Sequence, residues 1–414
     1  MSLSSPQSPS DPQSLAQRIS AEIQKSSGWL RFDRYMTMAL YEPGLGYYSR
    51  PRSPFGKSGD FVTAPSISEW YGQCLARQIF EVLDAIGSDQ VLEFGAGDGT
   101  LAGQILNHAH ELKRPLRYQI LELSAPLRQL QAANLASVSN DAISPVQWLD
   151  TWPAAEFCGV MLAHEVLDAM PVRLFVHRLQ AGQAHWFERG ISEGRLNGGM
   201  ELPQHGPWYF ADHAADAAWA DRLNMLKSAC QLQWLEDWPD GMLIEWHEQA
   251  QAWIRSVSGL LRRGLLLLVD YGFPAHEYYL PQREQGTLMT HYRHRAGTDV
   301  LAGAGEQDLS VHVDFTALAR VAIEQGMVLS GYCAQARFLI NTGLIDSAGT
   351  WARAQSDLSS AAALARLAGV QCLLSEAEMG ELFKFMALTR GLDGLDLIGF
   401  RQGDRSGRLG LQAC

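Results

Sequence analysis

The stretch Val91–Thr100 reads VLEFGAGDGT and decides the fold of this chain. Val91–Phe94 has the apolar character of a buried strand, and Thr100 opens a segment with apolar residues at helical spacing. Between them lies a Gly-x-Gly-x-Gly turn, Gly95–Gly99, in which no Cβ keeps a ligand away from the backbone. The pattern predicts either a ligand-binding turn between strand and helix or a tight connection without a ligand.

The spacing of these glycines separates two classes of cofactor. A dinucleotide-binding turn needs Gly-x-Gly-x-x-Gly, but Thr100 stands where its third glycine belongs. An acidic residue two positions before the first glycine is the usual companion of an S-adenosylmethionine (SAM) site. Both features favour a SAM-dependent methyltransferase over a nicotinamide-dependent oxidoreductase. The candidate cofactor-binding residues of this turn are Glu93, Gly95, Ala96, Gly97 and Gly99.

Strands and helices alternate after the turn. This order predicts an α/β fold with a parallel sheet and helices on both faces. The helices that fill the gaps include Thr100–His110 and Ala125–Ala136. The predicted strands are, in order, Val91–Phe94, Arg117–Leu123, Val146–Leu149, Gly159–Ala163 and Gly264–Val269.

Composition limits the class of protein. The chain has 414 residues, 47% hydrophobic and 19% charged, which suits a globular protein of two or three domains. Its formal net charge is −12 and it has no Lys/Arg cluster, so we predict no nucleic-acid partner. A negative chain suits a cationic partner such as a basic protein segment.

The cysteines and the apolar runs indicate the compartment. The six cysteines are scattered without a Cys-x-x-Cys pair, so we predict neither a disulfide framework nor a zinc ribbon. The longest apolar run, Leu265–Val269, is too short to span a bilayer. Residues 1–14 are rich in Ser and Pro and lack an apolar core, and we interpret them as a disordered leader. A bacterial cytoplasmic location is expected.

The fourth and fifth predicted strands are separated by far more residues than one crossover needs. Within this insertion Val172–Leu179 and Ala184–Ile191 form a predicted hairpin. Trp208–Trp238 is predicted to be a tryptophan-rich helical segment. The insertion is therefore a candidate substrate lid or partner surface.

Two helices are predicted before the glycine turn, Ser14–Lys25 and Ser68–Ile86, and between them lies a Gly- and Pro-rich loop from Tyr41 to Ser66. A last strand pair is expected around Met327–Leu339. The predicted organisation is a leader (1–14), an N-terminal helical region with the loop (15–88), the first part of a SAM-binding core (89–172), the insertion of hairpin plus helices (173–262), the second part of the core (263–345), and a C-terminal helical region and tail (346–414).

Ligands of such sheets sit beyond the carboxyl ends of the strands, which selects further residues. Glu122, with Leu123 beside it, ends the second strand and could accept hydrogen bonds from ribose hydroxyls; the alternative is a residue next to a helix start with no ligand. Asp150 follows Leu149 at the third strand and could accept from an adenine amino group. The alternative is a solvated carboxylate in a loop.

The richest strand end is the fourth, which reads AHEVLDAMP from Ala163. Glu165 and Asp168 are three residues apart and would share a face on one helical turn, where they could clamp a cationic group or act as a base. The alternative is a charge pair favoured by a helix start. His164 and Asp270, which follows the fifth strand, are further catalytic candidates, and Asp270 could equally cap a turn.

Three other patterns resemble hydrolase or metal-binding motifs, but each lacks a feature that the motif requires. Gly190–Gly194 matches Gly-x-Ser-x-Gly, but it follows a hairpin strand rather than a core strand. His164-Glu165 begins like a zinc motif, but Asp168 stands where its second histidine belongs. His291–Arg295 is a polar loop without metal-ligand spacing. We predict no metal site.

Taken together, the segments of this chain resemble the MidA family of SAM-dependent methyltransferases over roughly residues 20–390. The segments that carry the resemblance are Tyr35-Met36, Tyr41–Tyr48 (YEPGLGYY), Phe55–Pro65 (FGKSGDFVTAP), the Gly95 turn, Glu165–Pro171 (EVLDAMP), Asp270-Tyr271-Gly272, Gly286-Thr287-Leu288, Val313–Thr316 (VDFT) and Met379–Lys384 (MGELFK).

The resemblance implies a class I, Rossmann-like methyltransferase core with an N-terminal helical addition and a large insertion between strands four and five. It implies SAM as cofactor, bound by the glycines of the turn and Glu122. The loop with Gly59, Asp60 and Thr63 would close over cofactor or substrate, with Asp60 as a catalytic candidate. One departure is His164, where the family commonly has Asn, because a histidine charge depends on pH.

The resemblance also implies a substrate. Mitochondrial members of the family assist respiratory complex I assembly by methylating an arginine of a complex I subunit. A protein arginine is therefore the expected acceptor, with Glu165 and Asp168 at the reaction edge. The alternative is a SAM-binding assembly or interaction protein with little catalysis, for which the tryptophan-rich insertion would be the partner surface.

Overall fold

The computed structural model describes residues 14–50, 63–139, 146–153, 156–194, 207–230, 232, 235 and 237–411. Strands in this part of the chain are β1 (Trp29–Arg31), β2 (Gln90–Phe94), β3 (Arg117–Leu121), β4 (Val146–Leu149), β5 (Phe157–His164), β6 (Arg173–Gln180), β7 (Gln183–Glu193), β8 (Trp208–Ala214), β9 (Leu243–Trp246), β10 (Leu261–Phe273), β11 (Met289–Tyr292), β12 (Arg295–Gly297), β13 (Asp308–Ser310), β14 (Val313–Asp314), β15 (Val328–Ala334) and β16 (Phe383–Arg390).

Helices lie between these strands, together with short 3₁₀ turns at Pro281–Arg283, Ile398–Phe400 and Ser406–Leu409. The helices are α1 (Leu15–Lys25), α2 (Phe32–Tyr41), α3 (Ala64–Ile67), α4 (Glu69–Ile86), α5 (Thr100–Glu111), α6 (Ala125–Ser139), α7 (Ala217–Ala229), α8 (Glu248–Leu260), α9 (Ala275–Tyr278), α10 (Phe315–Glu324), α11 (Gln335–Asn341), α12 (Leu344–Ala354) and α13 (Ala361–Leu374).

The central sheet has the strand order β15-β16-β10-β5-β2-β3-β4, with β14 beside the end of β10. Strands β4, β3, β2, β5 and β10 pair in parallel, whereas β16 runs antiparallel to both β10 and β15. The strand order reverses between β2 and β5, which makes the ends of these two strands the switch point where ligands bind. The predicted α/β architecture is confirmed, and every predicted core strand has its counterpart.

Both faces of this sheet are covered, as the alternation predicted. Val91 and Leu265 point into an apolar cluster with α4 and α5, while Leu92 and Leu266 point into a second cluster with α8 and α10. Successive residues therefore face opposite sides, as the strand period of two requires. Because both sides of β10 are buried, its sequence is a continuous apolar run rather than an alternating one.

A second, antiparallel sheet has the order β1-β7-β6-β9, with β8 also paired to β7. The predicted hairpin is confirmed as β6 and β7, and its turn residues Ala181 and Gly182 both have positive φ. The prediction that Trp208–Trp238 is helical is wrong for its first part, because β8 is a strand. Helix α7 follows, capped by Asp216. Aromatic residues such as Trp208 suit a strand once a partner strand is present, and sequence alone does not reveal that partner.

The N-terminal region supplies one edge of this second sheet. The predicted helices are confirmed as α1, capped by Ser14, and α4, capped by Ser68. The short strand β1 was not predicted; it pairs with β7, from the insertion. Of the predicted loop from Tyr41 to Ser66, residues 51–62 lie outside the described part of the chain.

The expected strand pair around Met327–Leu339 is wrong in its second half. Strand β15 ends at Ala334 and helix α11 begins at Gln335, so the partner of β15 is the distant β16. The apolar residues after Ala334 face the core from a helix instead. Within the described ranges, no helix is long and apolar enough to cross a bilayer.

Candidate functional site

The glycine turn follows β2 at the switch point of the central sheet. Gly95, Gly97 and Gly99 all adopt left-handed backbone conformations, with φ of 61°, 56° and 85°. Such angles strain residues that carry a Cβ, which explains the alternate glycines. The Gly95 amide donates to the Leu121 carbonyl at 3.0 Å, so the turn is fixed against the end of β3. Ala96, between two of the glycines, is buried.

Glu93 lies on β2, two residues before the turn, and is 1% exposed. Its carboxylate accepts a hydrogen bond from the Tyr118 hydroxyl at 2.8 Å. Burial raises the pKa of Glu93 to about 7, because the charged form loses its hydration, although the tyrosine hydrogen bond opposes the shift. The Glu93 side chain is thus held inside the fold by Tyr118 rather than facing solvent.

Glu122 lies at the same edge, after β3. Its Oε1 accepts from the Ser124 amide at 2.9 Å and its Oε2 accepts from Gln131 Nε2 at 3.1 Å. Burial raises the pKa of Glu122, and these hydrogen bonds oppose the shift. Each carboxylate oxygen has a second lone pair, so both remain able to accept from a ligand hydroxyl. The neighbouring Leu123 side chain is 88% exposed.

Gln131 was not selected from the sequence, yet it ties the turn together. From α6 its Nε2 also donates to the Gly97 carbonyl at 2.9 Å, and its Oε1 accepts from Trp148 Nε1 at 3.0 Å. One buried amide thereby joins the glycine turn, Glu122 and β4. A lone glutamine in a helix carries no motif, and only the tertiary contacts identify it.

Leu149 and Asp150 are the two candidates at the end of β4, an edge strand of the central sheet. Asp150 is exposed and pairs with Arg128, at 2.6 Å between Oδ1 and Nη1. The Leu149 side chain is half-buried and packs against the core. This exposed ion pair fits the interpretation of Asp150 as a solvated carboxylate in a loop. Asp150 also follows a strand at the edge of the sheet where ligands bind, which is the position that an adenine contact requires.

The segment after β5 is a non-helical turn, so the expectation that Glu165 and Asp168 share a helical turn is wrong. No helix begins there, which also removes the alternative of a charge pair at a helix start. Glu165 adopts a φ of 52°, which is uncommon for a residue with a side chain, and its amide donates to the Val269 carbonyl at 2.8 Å. Strained backbone of this kind is concentrated at functional sites.

Asp270 holds that turn in place. Its Oδ2 accepts from the amides of Leu167 at 3.0 Å and Asp168 at 3.3 Å, and its Oδ1 accepts from the Tyr271 amide at 2.9 Å. The side chain is buried, and burial together with the charges of Asp168 and Glu165 raises its pKa. The sequence allowed Asp270 to be either a catalytic residue or a residue that caps a turn. These contacts are those of a capping residue.

Two carboxylate oxygens in this turn have no hydrogen-bond partner among the residues that the structure describes. They are Glu165 Oε1 and Asp168 Oδ1, both buried; the other Asp168 oxygen accepts from the Tyr271 hydroxyl. Burial, then the charges of Asp168 and Asp308, raises the pKa of Glu165 to about 8, and burial raises that of Asp168 to about 6. Buried polar atoms are nearly always paired, so these oxygens are set for donors that a ligand brings.

Residues far apart in sequence lie beside this acidic turn. Asp308, on β13, is 1% exposed, and its Oδ1 accepts from the Tyr48 hydroxyl at 2.8 Å. The Tyr41 hydroxyl donates to the Ala169 carbonyl at 2.9 Å. Tyr41 and Tyr48 belong to a segment quoted for the family resemblance, but no sequence signal pointed to Asp308.

His164 is buried beside Glu165. Its Nε2 lies 2.8 Å from the Tyr71 hydroxyl and its Nδ1 lies 3.4 Å from Glu165 Oε1. Burial lowers the pKa of His164 to about 4, because the charged ring would lose its hydration. The imidazole is therefore neutral near pH 7, and the pH dependence that its presence suggested is not expected from this ring.

We expect the His164 ring to stay neutral in the folded protein from pH 8 down to pH 5. The measurement is the pH dependence of ring ¹⁵N shifts in histidine-labelled protein, with His164→Asn identifying the signal. The same ring in urea-unfolded protein should titrate with a pKa of about 6.5, the ordinary histidine value. A midpoint above about 6 in the folded protein would show that the ring is charged when it faces Glu165.

The remaining candidates fall outside this constellation. Gly59 and Asp60 lie outside the described residues, and Thr63 is the residue before α3. Ser192 of the Gly-x-Ser-x-Gly match sits inside β7, paired with both β1 and β8, so no nucleophile turn exists there. His291–Arg295 forms the β11–β12 hairpin. Across the residues that the structure describes, no group of three or more His, Cys, Asp or Glu side chains could hold a metal ion.

Comparisons with known proteins agree with this geometry. Residues 74–333 match the model of the family described as "Putative S-adenosyl-L-methionine-dependent methyltransferase". The mitochondrial protein arginine methyltransferase NDUFAF7 of Mus musculus is 29% identical over 410 residues, covering 88% of this chain and 82% of that protein. Its Homo sapiens counterpart is 29% identical over 391 residues, covering 88% and 81%.

One solved structure is similar over nearly its whole length. It is a protein from Burkholderia thailandensis bound to S-adenosyl-homocysteine, with a TM-score of 0.81 and 41% sequence identity. The match covers 95% of this chain and 96% of that one. The similarity thus includes the second sheet and the C-terminal helices as well as the glycine turn.

Proposed function

We propose that this chain, which belongs to the MidA family of SAM-dependent methyltransferases, transfers the methyl group of SAM to an arginine side chain of a protein. The observation that carries the proposal is a pair of buried oxygens, on Glu165 and Asp168, that have no hydrogen-bond partner among the described residues and lie beside the glycine turn at the switch point. A ligand that supplies several N–H donors and a positive charge satisfies both.

The cofactor is SAM, and the residues present fit it. The left-handed glycines leave the backbone of the turn open, and the Glu122 oxygens can each accept one more hydrogen bond. When bound, SAM supplies an electrophilic methyl group on a sulfonium. The residues proposed to hold it are Glu93, Gly95, Ala96, Gly97, Gly99, Glu122, Leu123, Leu149 and Asp150, with Gly59 and Thr63 from the loop that the family resemblance implies.

Glu165 and Asp168 are proposed to orient the acceptor. A guanidinium has five N–H donors in a planar fork, so two carboxylates can hold its other nitrogens while one faces the methyl donor. Their negative charge also draws positive charge toward the held nitrogens. The positive charge of a bound guanidinium favours the ionised form of Glu165, whose pKa burial otherwise raises to about 8. Methylation releases one proton from the attacking nitrogen, and the ionised Glu165 carboxylate is placed to receive it. Neutral His164 and the candidate Asp60 are further proposed members of the site.

The same carboxylates disfavour lysine. A lysine side chain has a single nitrogen, which must lose its proton before it can attack. Buried carboxylates stabilise the charged ammonium and raise its pKa, which keeps the nitrogen unreactive. In arginine the nitrogens that pair with the carboxylates differ from the one that reacts. The geometry therefore favours arginine.

The proposed partner is a basic segment of another protein. The formal net charge of −12 favours such a segment. The family resemblance suggests a subunit of respiratory complex I, and we propose a bacterial cytoplasmic site of action. The insertion, residues 173–262, is proposed to form the acceptor-side lid.

The alternative of an interaction protein loses its main support. The segment Trp208–Trp238 was offered as a partner surface, but the tryptophans in it that the structure describes, Trp208, Trp219 and Trp238, are buried. Most of them pack with α7 and the ends of β6 and β9 in a core of their own. They stabilise the insertion instead of presenting an exposed apolar face.

The proposal predicts methylated arginine in the products. Purified protein should transfer label from methyl-labelled SAM to proteins extracted from cells that lack the gene, and peptide mass spectrometry should place the label on arginine. Protein with Asp168→Asn is the control for background labelling. Label on lysine, or equal labelling by the control, would contradict an arginine acceptor held by these carboxylates.

A further inference from the structure

Tyr48 touches both halves of the site. On the acceptor side its hydroxyl donates to Asp308 Oδ1 at 2.8 Å. On the cofactor side its carbonyl accepts from the Ser124 hydroxyl at 2.5 Å. Its own amide donates to the Leu40 carbonyl at 2.9 Å, which fixes it to the end of α2. Tyr48 therefore contacts both the turn after β3 and strand β13.

The contacts of Tyr48 form a continuous chain between two carboxylates. The Ser124 amide donates to Glu122 Oε1 at 2.9 Å, so Glu122 connects through Ser124 and Tyr48 to Asp308. Tyr41 supports this chain, because its ring stacks on that of Tyr48 with centroids 5.8 Å apart. Hydrogen bonds therefore connect the Glu122 turn to β13 without a break.

Asp308 belongs to the acceptor side of the pocket. The Val311 amide, just beyond β13, donates to the Asp168 carbonyl at 3.0 Å, which holds the end of this strand against the Glu165–Asp168 turn. The Asp308 charge contributes to the raised pKa of Glu165, after burial and Asp168. The position of Asp308 thus affects the carboxylate proposed to orient the acceptor.

We propose that Tyr48 is a positioning residue that couples the cofactor turn to the acceptor pocket. Ordering of Glu122 and Ser124 by a bound nucleoside fixes the Tyr48 carbonyl, and its hydroxyl then fixes Asp308 and β13. The cofactor thereby prepares the acceptor pocket before the acceptor arrives. The inference rests on the proposed function for the location of the nucleoside at Glu122 and of the acceptor beside Glu165 and Asp168.

The test is hydrogen–deuterium exchange with and without S-adenosyl-L-homocysteine, which binds without reacting. In the wild-type protein the ligand should slow exchange at residues 308–310 as well as at the glycine turn. In Tyr48→Phe the ligand should still bind, with a Kd within about fivefold of wild type, the lower end of typical coupling factors. The slowing at residues 308–310 should be lost. Ser124→Ala breaks the chain at its other link and should give the same loss.

Tyr35→Phe is the matched control. It also removes a buried tyrosine hydroxyl from α2, one that donates to the Val300 carbonyl at 2.8 Å, outside the chain described here. It should leave the slowing at residues 308–310 intact. Slowing that persists in Tyr48→Phe and Ser124→Ala, or that is absent from the wild type with ligand bound, overturns the coupling. Failure of the wild type to bind the ligand overturns the proposed cofactor site instead.

Discussion

Glu165→Gln should abolish methyl transfer, by ~100-fold or more in kcat, while SAM affinity stays within a few-fold of wild type. The carboxamide keeps the shape of the side chain but removes both the charge that orients a guanidinium and the group that receives its proton. Label transfer from SAM gives kcat, and calorimetric titration gives the SAM affinity. Loss of affinity in step with activity would mean that Glu165 maintains the cofactor site instead.

The same substitution should increase stability at alkaline pH. Burial raises the pKa of Glu165 from 4.5 to about 8, so the folded state binds more protons than the unfolded state between these values. The wild-type free energy of unfolding therefore falls as pH rises through this window, and the penalty is fully present above pH 8. Glutamine carries no such penalty, so the variant should match wild type near pH 5 and exceed it above pH 8.

Glu156→Gln is the control for this pair of results. Glu156 is exposed and pairs with Arg262 at the surface, so the same chemical change occurs without a buried charge. Neither activity nor the pH dependence of stability should change. A gain in stability together with a loss of activity in Glu165→Gln alone would show that Glu165 is retained for function at a cost in stability.

Local sequence was sufficient for most of the core. Val91–Phe94 and Leu265–Val269 form strands whose burial follows from their apolar runs, and the glycine turn follows from backbone angles that only glycine adopts easily. The positions of Glu122 and Glu165 then follow from the rule that ligands sit beyond strand ends. These features depend on neighbours in sequence, and the sequence therefore reveals them.

Features that depend on distant partners were missed. Gln131 and Asp308 acquire their roles only through hydrogen bonds to residues many positions away, and no motif marks them. Tyr48 lies in a segment of the family resemblance, but its contact with Asp308 is visible only in the structure. The residues of strand β8 were wrongly predicted to be helical. They form a strand because they pair with β7, and the local sequence does not reveal that partner. His164 loses its charge because of burial, which depends on packing by α4.

Gly95→Ala should weaken SAM binding by ~10-fold or more, the effect of at least one lost polar contact in a buried site. The residue has a φ of 61°, and a Cβ there would lie 3.2 Å from Val166 Cγ2. The methyl group would push on Val166, next to Glu165, as well as narrow the turn. Calorimetric titration with SAM measures the affinity, and denaturant unfolding measures the accompanying loss of stability.

Gly87→Ala is the matched control. Gly95→Ala introduces backbone strain and changes the cofactor site at the same time, whereas Gly87→Ala introduces the strain alone. Gly87 ends α4 with a φ of 66°, and a Cβ there meets nothing within 4 Å. Both variants should lose about 1–2 kcal/mol of stability to left-handed backbone strain, but only Gly95→Ala should lose SAM affinity. Equal losses of affinity would mean that general destabilisation explains the effect. Adding Val166→Ala to Gly95→Ala then separates the two local causes, since recovery of binding assigns the defect to the displaced valine and continued loss assigns it to the narrowed turn.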